Sequence, residues 1–503
     1  MQPSPVPYHQ LAPPISRLIP RQQWAALLGC SGFMAFVLAV ALQGRVGVGA
    51  VAIGMAAAGG IAFFLLPIRT SIFLYFGYLL FDGMIKILSN YNQILHVGQD
   101  LVLLLLVARS CWESGGGAKI QRLPRVGFLV VLLGWILIQY VNPWGIGLWP
   151  SIAGTKVYVS MMGLFFLIYH HFQKEDIDVF LRWLLILGLF ECAFSTWEFM
   201  YGQSFLLGLH PKYKIVLTSY LGTAFYRPFG TTAVPGGPSV WAMLVLPVAG
   251  YFLAQKKIKT LDRFLSFGFL ASAVPTLIFC QVRTSIVFGI IGFSLNFFRP
   301  GGHILRRIFY LGLIVGVFGF SANYFFDQAM LSKYSWMARL STAQRSTLLD
   351  RMSSLGKKDS YLKARENNAM KSTMALADVT LLGIGLSRVG AAAEVWTPRL
   401  MNEQYFGMRW AFADNLYKAI FTELGFFGFF AWLSFVGILF FDLVKGALRT
   451  SDVHSRSVIW LSSISVGLLL IAGYGNEGVL YNPVSGFFWA MMSLGMKGVA
   501  DHG

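Results

Sequence analysis

The chain has 503 residues, of which 56% are hydrophobic, 16% aromatic and only 12% charged. This composition leaves too little polar surface to solvate a soluble globule, and it predicts an integral membrane protein. The formal net charge of +18 does not indicate nucleic-acid binding, because the basic residues fall in short clusters between apolar runs. Such clusters are typical of cytoplasmic loops.

Long apolar runs recur along the chain and predict an all-α, polytopic transmembrane protein with about fourteen spans. A hydrocarbon core of roughly 30 Å requires about 17–25 apolar residues in a helix. The predicted helices lie near residues 24–42, 46–66, 71–89, 94–108, 127–141, 153–171, 180–199, 239–255, 264–280, 282–297, 306–323, 415–441, 457–474 and 483–499. Basic clusters fall at alternate connections, so we expect both termini in the cytoplasm.

Polar stretches between the apolar runs define the domain organisation. In chain order, the regions are a cytoplasmic tail (1–23), a transmembrane region (24–320) with an outer loop at 201–238, a large periplasmic loop (321–410) and a C-terminal transmembrane region (411–503). Within the large loop, residues 337–352 and 358–374 have apolar residues three and four apart, which predicts short amphipathic helices.

The sequence gives no indication of a metal or a nucleotide cofactor. The four cysteines lie in or beside apolar runs without metal-ligand spacing, and neither an HExxH motif nor a carboxylate cluster is present. Gly383-Ile384-Gly385 lacks the third glycine of a dinucleotide-binding motif, which favours a tight turn or a close backbone approach.

Arginines stand out among the polar residues predicted at the outer edge of the membrane. Arg283 lies in a short turn between two apolar helices, where a guanidinium has to be paired, hydrated or bound to an anion. Its planar donors suit the oxygens of a phosphate. The alternative is an interfacial arginine, or one that pairs with Asp414 or Glu423 for packing. Arg227 is less distinctive, because arginines are common in loops.

Three further ionisable residues have two interpretations each. Asp414 is either the N-cap of the helix that follows or a general base at the membrane face. Glu423, nine positions later, is expected to form a hydrogen bond within or between helices. Lys156 is predicted at the outer end of a helix, as an anion contact or as an interfacial lysine.

Aromatic residues crowd the outer segments, as in an interfacial belt or a sugar-stacking surface. Trp396, Tyr405 and Trp410 of the large loop are the candidate sugar-binding residues.

Several short motifs together resemble the bacterial O-antigen ligase and polymerase superfamily, which includes exopolysaccharide repeat-unit polymerases. In order, they are Arg227-Pro228-Phe229-Gly230-Thr231, Val282-Arg283-Thr284-Ser285, Gly383-Ile384-Gly385, Asp414-Asn415-Leu416-Tyr417 and Glu423-Leu424-Gly425 with Gly428. Each motif is degenerate, and their order around one large outer loop carries the resemblance.

The resemblance implies a metal-independent glycosyltransferase of the bacterial inner membrane. Such proteins transfer a glycan from a polyprenyl-diphosphate carrier to an acceptor hydroxyl at the periplasmic face. By the resemblance, Arg227 and Arg283 bind the diphosphate, with Lys156 as a further anion contact, and Asp414 acts on the acceptor. The expected partners are the lipid-linked glycan, the bilayer and other polysaccharide-export and chain-length proteins.

Asp414 departs from the histidine that ligases tend to carry at this place, which favours a repeat-unit polymerase over an O-antigen ligase that uses a lipid A-core acceptor. Two alternatives come from other classes. A flippase or transporter of lipid-linked oligosaccharides requires charged residues along a pathway through the bilayer, and a noncatalytic membrane scaffold requires none of these site residues.

Overall fold

The computed structural model describes residues 66–89, 93–113, 123–145, 147–221, 226–280, 282–298, 381–387, 415–474 and 478–501. Within these ranges every regular element is a helix, which confirms the predicted all-α class. The helices predicted near 24–42 and 306–323, nearly all of 46–66, and most of the large loop lie outside the described residues.

The described α-helices follow the predicted order closely. They are α1 (Ile68–Leu88), α2 (Gln93–Glu113), α3 (Val126–Ile138), α4 (Leu148–Val159), α5 (Met162–His171), α6 (Lys174–Trp197), α7 (Gln203–Leu209), α8 (Pro211–Leu221), α9 (Pro238–Leu253), α10 (Thr260–Cys280), α11 (Arg283–Leu295), α12 (Leu416–Arg449), α13 (Val453–Ala472) and α14 (Val484–Ala500). Short 3-10 turns follow α3 and α11 and precede α14, and a π-helical turn, Glu198–Gly202, follows α6.

Four of these helices, α1, α10, α12 and α13, are long and apolar enough to cross a membrane. Helices α4 and α5 would form a fifth span with a bend of 40°. The protein therefore has the apolar helices that a polytopic membrane protein needs. The predicted count of about fourteen spans is not confirmed by this part of the chain and stays a prediction.

Helix α9 lies at the centre of the bundle, where it packs against α6, α10 and α11. All of its residues except Val240 are buried. Its sequence is apolar around the whole helix, which is typical of a helix enclosed by others. Pro238 is its first residue, a position that needs no backbone N–H donor. This central helix fixes where the preceding loop meets its neighbours.

Two predicted helices are interrupted in the structure. The helix predicted at 153–171 is divided into α4 and α5, and the long helix α12 is broken at Gly425, which has φ 70° and ψ −172°. Such a positive φ is accessible to glycine at little cost. The predicted outer loop 201–238 also contains two helices, α7 and α8.

The N-cap of α12 is Asn415, whose side-chain oxygen accepts a hydrogen bond from the Lys418 N–H at 3.0 Å. The interpretation of Asp414 as this N-cap is therefore wrong by one residue. Asn and Asp are equally good caps, so the residue type alone does not decide between neighbours. Asp414 itself lies outside the described residues.

Candidate functional site

The loop of residues 226–237 contains the Arg227 motif and connects the 222–225 region to α9. Two buried glutamates hold it from the far end of α6: Glu191 and Glu198 each have 0% exposure. They lie seven positions apart, about two helical turns, and so face the same way. Glu198 opens the π-helical turn, an irregularity that is frequent at functional sites.

Glu198 accepts three hydrogen bonds from this loop. The Phe229 N–H donates to Oε1 at 2.8 Å and the Gly230 N–H donates to Oε2 at 2.6 Å. The Tyr226 hydroxyl donates to the same Oε1. Arg227 therefore lies, in the sequence, between residues that donate hydrogen bonds to the Glu198 carboxylate. These hydrogen bonds fix the backbone on both sides of Arg227.

Glu191 binds the next residue of the motif, Thr231. The Thr231 N–H donates to Oε1 at 3.1 Å and the Thr231 hydroxyl donates to Oε2 at 2.5 Å. Neither glutamate was among the residues predicted for the site, because each stands alone in an apolar run some distance from the motif. An acidic residue in such a run is itself a signal, since burying it in a membrane is costly.

Thr231 also joins the loop to α1. Its hydroxyl oxygen also lies 2.5 Å from the Leu80 carbonyl oxygen, so its single proton is shared between Leu80 and Glu191, and its own carbonyl accepts from the Met84 N–H at 2.7 Å. In a regular α-helix, residues four apart pair these two groups with each other. Next to them, a Cβ atom on Gly83 would lie only 2.2 Å from the Ala233 nitrogen. The loop is thus docked directly on the α1 backbone.

Gly236 brings Arg227 close to the start of α11. A Cβ atom at Gly236 would lie 3.6 Å from Arg227 Cδ and 3.2 Å from Val282 Cγ2. The Gly236 N–H donates to the Pro228 carbonyl at 2.8 Å, and its φ is +85°. Arg283 is the first residue of α11, and its side chain lies outside the described part of the structure. Gly236 therefore lies between the side chain of Arg227 and that of Val282, the residue before Arg283.

The first turns of α9 and α11 meet at the same place. Ser239 Oγ and Ser285 Oγ are 3.3 Å apart, and both side chains are buried. The first backbone N–H groups of a helix have no partner within the helix, and they give its N-terminus a partial positive charge. The loop of residues 226–237 therefore ends where the first turns of α9 and α11 pack side by side.

Lys156 belongs to a second polar centre, a charged quartet of Asp82, Lys86, Asp100 and Lys156. Lys156 Nζ lies 2.5 Å from Asp100 Oδ2, and Lys86 Nζ lies 2.5 Å from Asp82 Oδ2. The carboxylates are 7% and 6% exposed, respectively. The two pairs are close enough to interact electrostatically. Neither interpretation from the sequence included this ion pair for Lys156.

Helices α1 and α2 and the bend between α4 and α5 build the quartet. Ser160, at the bend, donates its hydroxyl to Asp100 at 2.5 Å. Asp82 and Lys86 lie four apart on α1, beside the turn that bonds Thr231. Lys156 is thus connected to the Arg227 loop through α1. Pairing between distant charges depends on packing, so the sequence pattern could only have indicated the Asp82–Lys86 half.

The predicted close approach at Gly383-Ile384-Gly385 is confirmed, because residues 381–387 fit into the break of α12. A Cβ atom on Gly383 would lie 2.4 Å from the Gly425 nitrogen. The Ile384 N–H donates to the Thr422 carbonyl at 2.9 Å. The amide groups of Gln139 and Asn142 donate to the Leu382 and Gly383 carbonyls at 3.0 and 3.1 Å. The irregular backbone here is therefore satisfied by hydrogen bonds from other parts of the protein.

Glu423 forms the predicted hydrogen bond between helices. The Tyr158 hydroxyl of α4 donates to Glu423 Oε2 at 2.8 Å, and both side chains are buried. Trp135 of α3 donates its indole N–H to the neighbouring Leu424 carbonyl at 2.7 Å. Glu423 therefore helps to hold the broken part of α12 in place.

The other predicted site residues, Asp414, Trp396, Tyr405 and Trp410, lie outside the described residues. Across the ranges that the structure describes, no three His, Cys, Asp or Glu side chains are grouped in a way that could hold a metal ion. No protein-family model matches the chain, and no curated protein matches it either.

Proposed function

We propose that this chain is a membrane glycosyltransferase that polymerises polyprenyl-diphosphate-linked oligosaccharide repeat units. It works at the periplasmic face of the bacterial inner membrane, for a surface or secreted polysaccharide. In this proposal the chain crosses the membrane about fourteen times, and both termini lie in the cytoplasm.

The observation that carries the proposal is the approach of Arg227 to the start of α11, where Arg283 is the first residue. A diphosphate is bound well by planar guanidinium groups that each grip two oxygens, and in this proposal Arg227 and Arg283 supply them. The hydrogen bonds that the loop donates to Glu191 and Glu198 support the same role, because a preorganised charge spends no energy on reorganisation during the reaction.

In the proposed reaction, an acceptor hydroxyl oxygen attacks the anomeric carbon of the donor glycan. The bond from that carbon to the diphosphate oxygen breaks, and its electron pair stays on the diphosphate. Arg227 and Arg283 stabilise this developing charge, with Lys156 as a proposed further contact. The Asp414 carboxylate takes the acceptor proton. Trp396, Tyr405 and Trp410 stack against sugar rings.

The proposal is tested by the lipid-linked glycans of cells that lack the protein and of the same cells restored with Arg283→Ala. We expect single repeat units on the outer face in both strains. Arg263→Ala is the matched control, because Arg263 is an exposed arginine in the first turn of α10, and it should restore full-length polymer. Normal polymer from Arg283→Ala would rule out the assigned role, and full-length chains left unattached would identify an O-antigen ligase.

A second candidate function is a flippase or transporter of lipid-linked oligosaccharides. The charged quartet favours it, because buried ionisable residues in membrane helices often mark a transport path. The bend at α4–α5 and the break in α12 favour it as well, since discontinuous helices form substrate sites in transporters. Repeat units trapped on the cytoplasmic face in the deletion strain would decide for this function.

A further inference from the structure

We propose that Glu191 and Glu198 are positioning residues that set the orientation of Arg227 towards the diphosphate. This inference rests on the proposed function and deepens it. Neither glutamate is assigned a contact with the substrate. Each acts through the loop of residues 226–237, which carries the arginine.

The hydrogen bonds concentrate on the few residues around Arg227. Tyr226 on one side and Phe229 with Gly230 on the other all donate to Glu198. Thr231 donates twice to Glu191. These five donors come from a stretch of six residues, so the two carboxylates hold the loop on both sides of Arg227.

The backbone of Gly230 also packs closely against Glu191, which supports a specific binding position for the loop. A Cβ atom on Gly230 would lie 2.2 Å from Glu191 Oε1, and Gly230 has a φ of +57°. A side chain at this position would displace the carboxylate. Gly230 therefore allows the backbone to pass between the two glutamates and lets both carboxylates reach N–H groups.

A carboxylate suits this position because it has only acceptors. Glu198 uses Oε1 for Tyr226 and Phe229, and Oε2 for Gly230. In Glu198→Gln, the amide nitrogen would face either the Gly230 N–H or the other two donors, which leaves a buried donor without an acceptor.

Glu191 tolerates an amide better than Glu198 does. Its Oε1 accepts from the Thr231 N–H, and the Thr231 hydroxyl also reaches the Leu80 carbonyl. In Glu191→Gln, the amide NH₂ can donate to the Thr231 hydroxyl oxygen, while that hydroxyl donates to Leu80. The Thr231 N–H and hydroxyl then both keep a partner. The two substitutions are chemically identical, and the structure gives them different outcomes.

The experiment uses the full-length protein in lipid nanodiscs. Three properties are measured: the KM and kcat for a lipid-linked repeat unit, the affinity for inorganic pyrophosphate, and hydrogen exchange of the backbone amides of residues 229–231. We expect Glu198→Gln to weaken pyrophosphate binding and raise the KM by at least roughly tenfold, with faster amide exchange, because a buried donor is left unsatisfied. Glu191→Gln should show a smaller loss.

Two further variants keep the test decisive. Tyr226→Phe removes one donor to Glu198 and leaves the carboxylate in place, so it gives a milder form of the same defect if Glu198→Gln does not fold. Glu175→Gln is the matched control, because Glu175 is exposed in the first turn of the same helix. It should behave as the wild type in all three measurements.

The outcomes separate this inference from the proposed function. A wild-type protein that neither binds pyrophosphate nor elongates glycans refutes the proposed function. If Glu198→Gln leaves amide exchange at residues 229–231 unchanged, Glu198 does not hold the loop, whether or not the proposed function is correct. Faster exchange with unchanged KM, kcat and pyrophosphate affinity shows a purely structural contact and overturns the positioning role.

Discussion

Gly383 packs backbone to backbone against Gly425, so that residues 381–387 fill the break in α12. Both residues have a positive φ, +77° and +70°, and a Cβ atom on Gly425 would lie 2.3 Å from the Gly383 nitrogen. The contact joins a segment that precedes α12 in sequence to a point nine residues inside that helix. No residue with a side chain fits on either side of it.

Alanine at Gly383 should therefore destabilise the protein. A non-glycine residue at positive φ costs about 1–3 kcal/mol, and the displaced backbone adds to this cost. Thermal unfolding of the detergent-solubilised protein measures the effect. Gly437→Ala is the control, since Gly437 lies in the same helix as Gly425 and a Cβ atom there has nothing within 4 Å. Equal melting temperatures for both variants would contradict the contact.

Gly83→Ala should separate α1 from the 226–237 loop. The added methyl group would overlap the backbone of Thr232 and Ala233, which cannot rotate away as a side chain can. We expect a clear fall in thermal stability, together with faster amide exchange at Thr231. Gly77→Ala lies in the same helix, where the nearest atom, Trp183 Cζ2, is an ordinary 3.6 Å away. That variant should match or exceed wild-type stability, because alanine favours helix.

Lys156→Met should destabilise the protein more than the removal of both charges of the Lys156–Asp100 ion pair. Removal of one partner of a buried ion pair typically costs about 3–5 kcal/mol, because the other charge is left uncompensated. The double variant Lys156→Met, Asp100→Asn should recover part of this loss in chemical unfolding. Lys497→Met is the control, as its contact with Asp501 is 3.8 Å long and more exposed. Such pairs contribute about 0–1 kcal/mol. A double variant no more stable than Lys156→Met would argue against the pairing.

Asp452 should give the protein a dependence on acidic pH. It lies between α12 and α13, and hydrogen bonds from the Ser455 hydroxyl and N–H and from Lys174 hold its pKa well below the usual value. A lowered pKa stabilises the fold above the unfolded-state pKa of about 3.9, and the stability is lost as the pH falls through the folded-state value.

The Asp452→Asn variant tests this, since asparagine keeps the N-cap function without the charge. The stability difference between wild type and variant should be constant near neutral pH and should shrink below about pH 4. A difference independent of pH would contradict the lowered pKa.

Much of the helical framework can be predicted from the sequence, because spans need long apolar runs. α9 illustrates this: its apolar run predicted a helix from residue 239, and the helix begins one residue earlier, at Pro238. The interruptions could not be predicted in the same way. Gly425 is one glycine in an apolar run, and only the approach of residues 381–387 explains its positive φ.

The candidate site was predicted in part. Its arginines stand out, since charges beside apolar helices are rare. Their supports do not stand out, because Glu198 is separated from Gly230 by 32 positions and nothing local links them. The quartet was missed for the same reason: Asp100 and Lys156 are single charges in separate helices, and their pairing follows from packing.

Thr231 also has a consequence for the order of folding. The Leu80 carbonyl that it binds lies 151 positions earlier in the chain, so this turn of α1 is synthesised long before its partner. During insertion, the turn has to satisfy its own backbone groups, because unpaired groups are costly in lipid. This turn of α1 reaches its final hydrogen-bonding pattern only when the loop of residues 226–237 has been synthesised and docks on it. The hydrogen bonds of α1, a helix near the start of the chain, are therefore completed by Thr231, a residue near the middle of the chain.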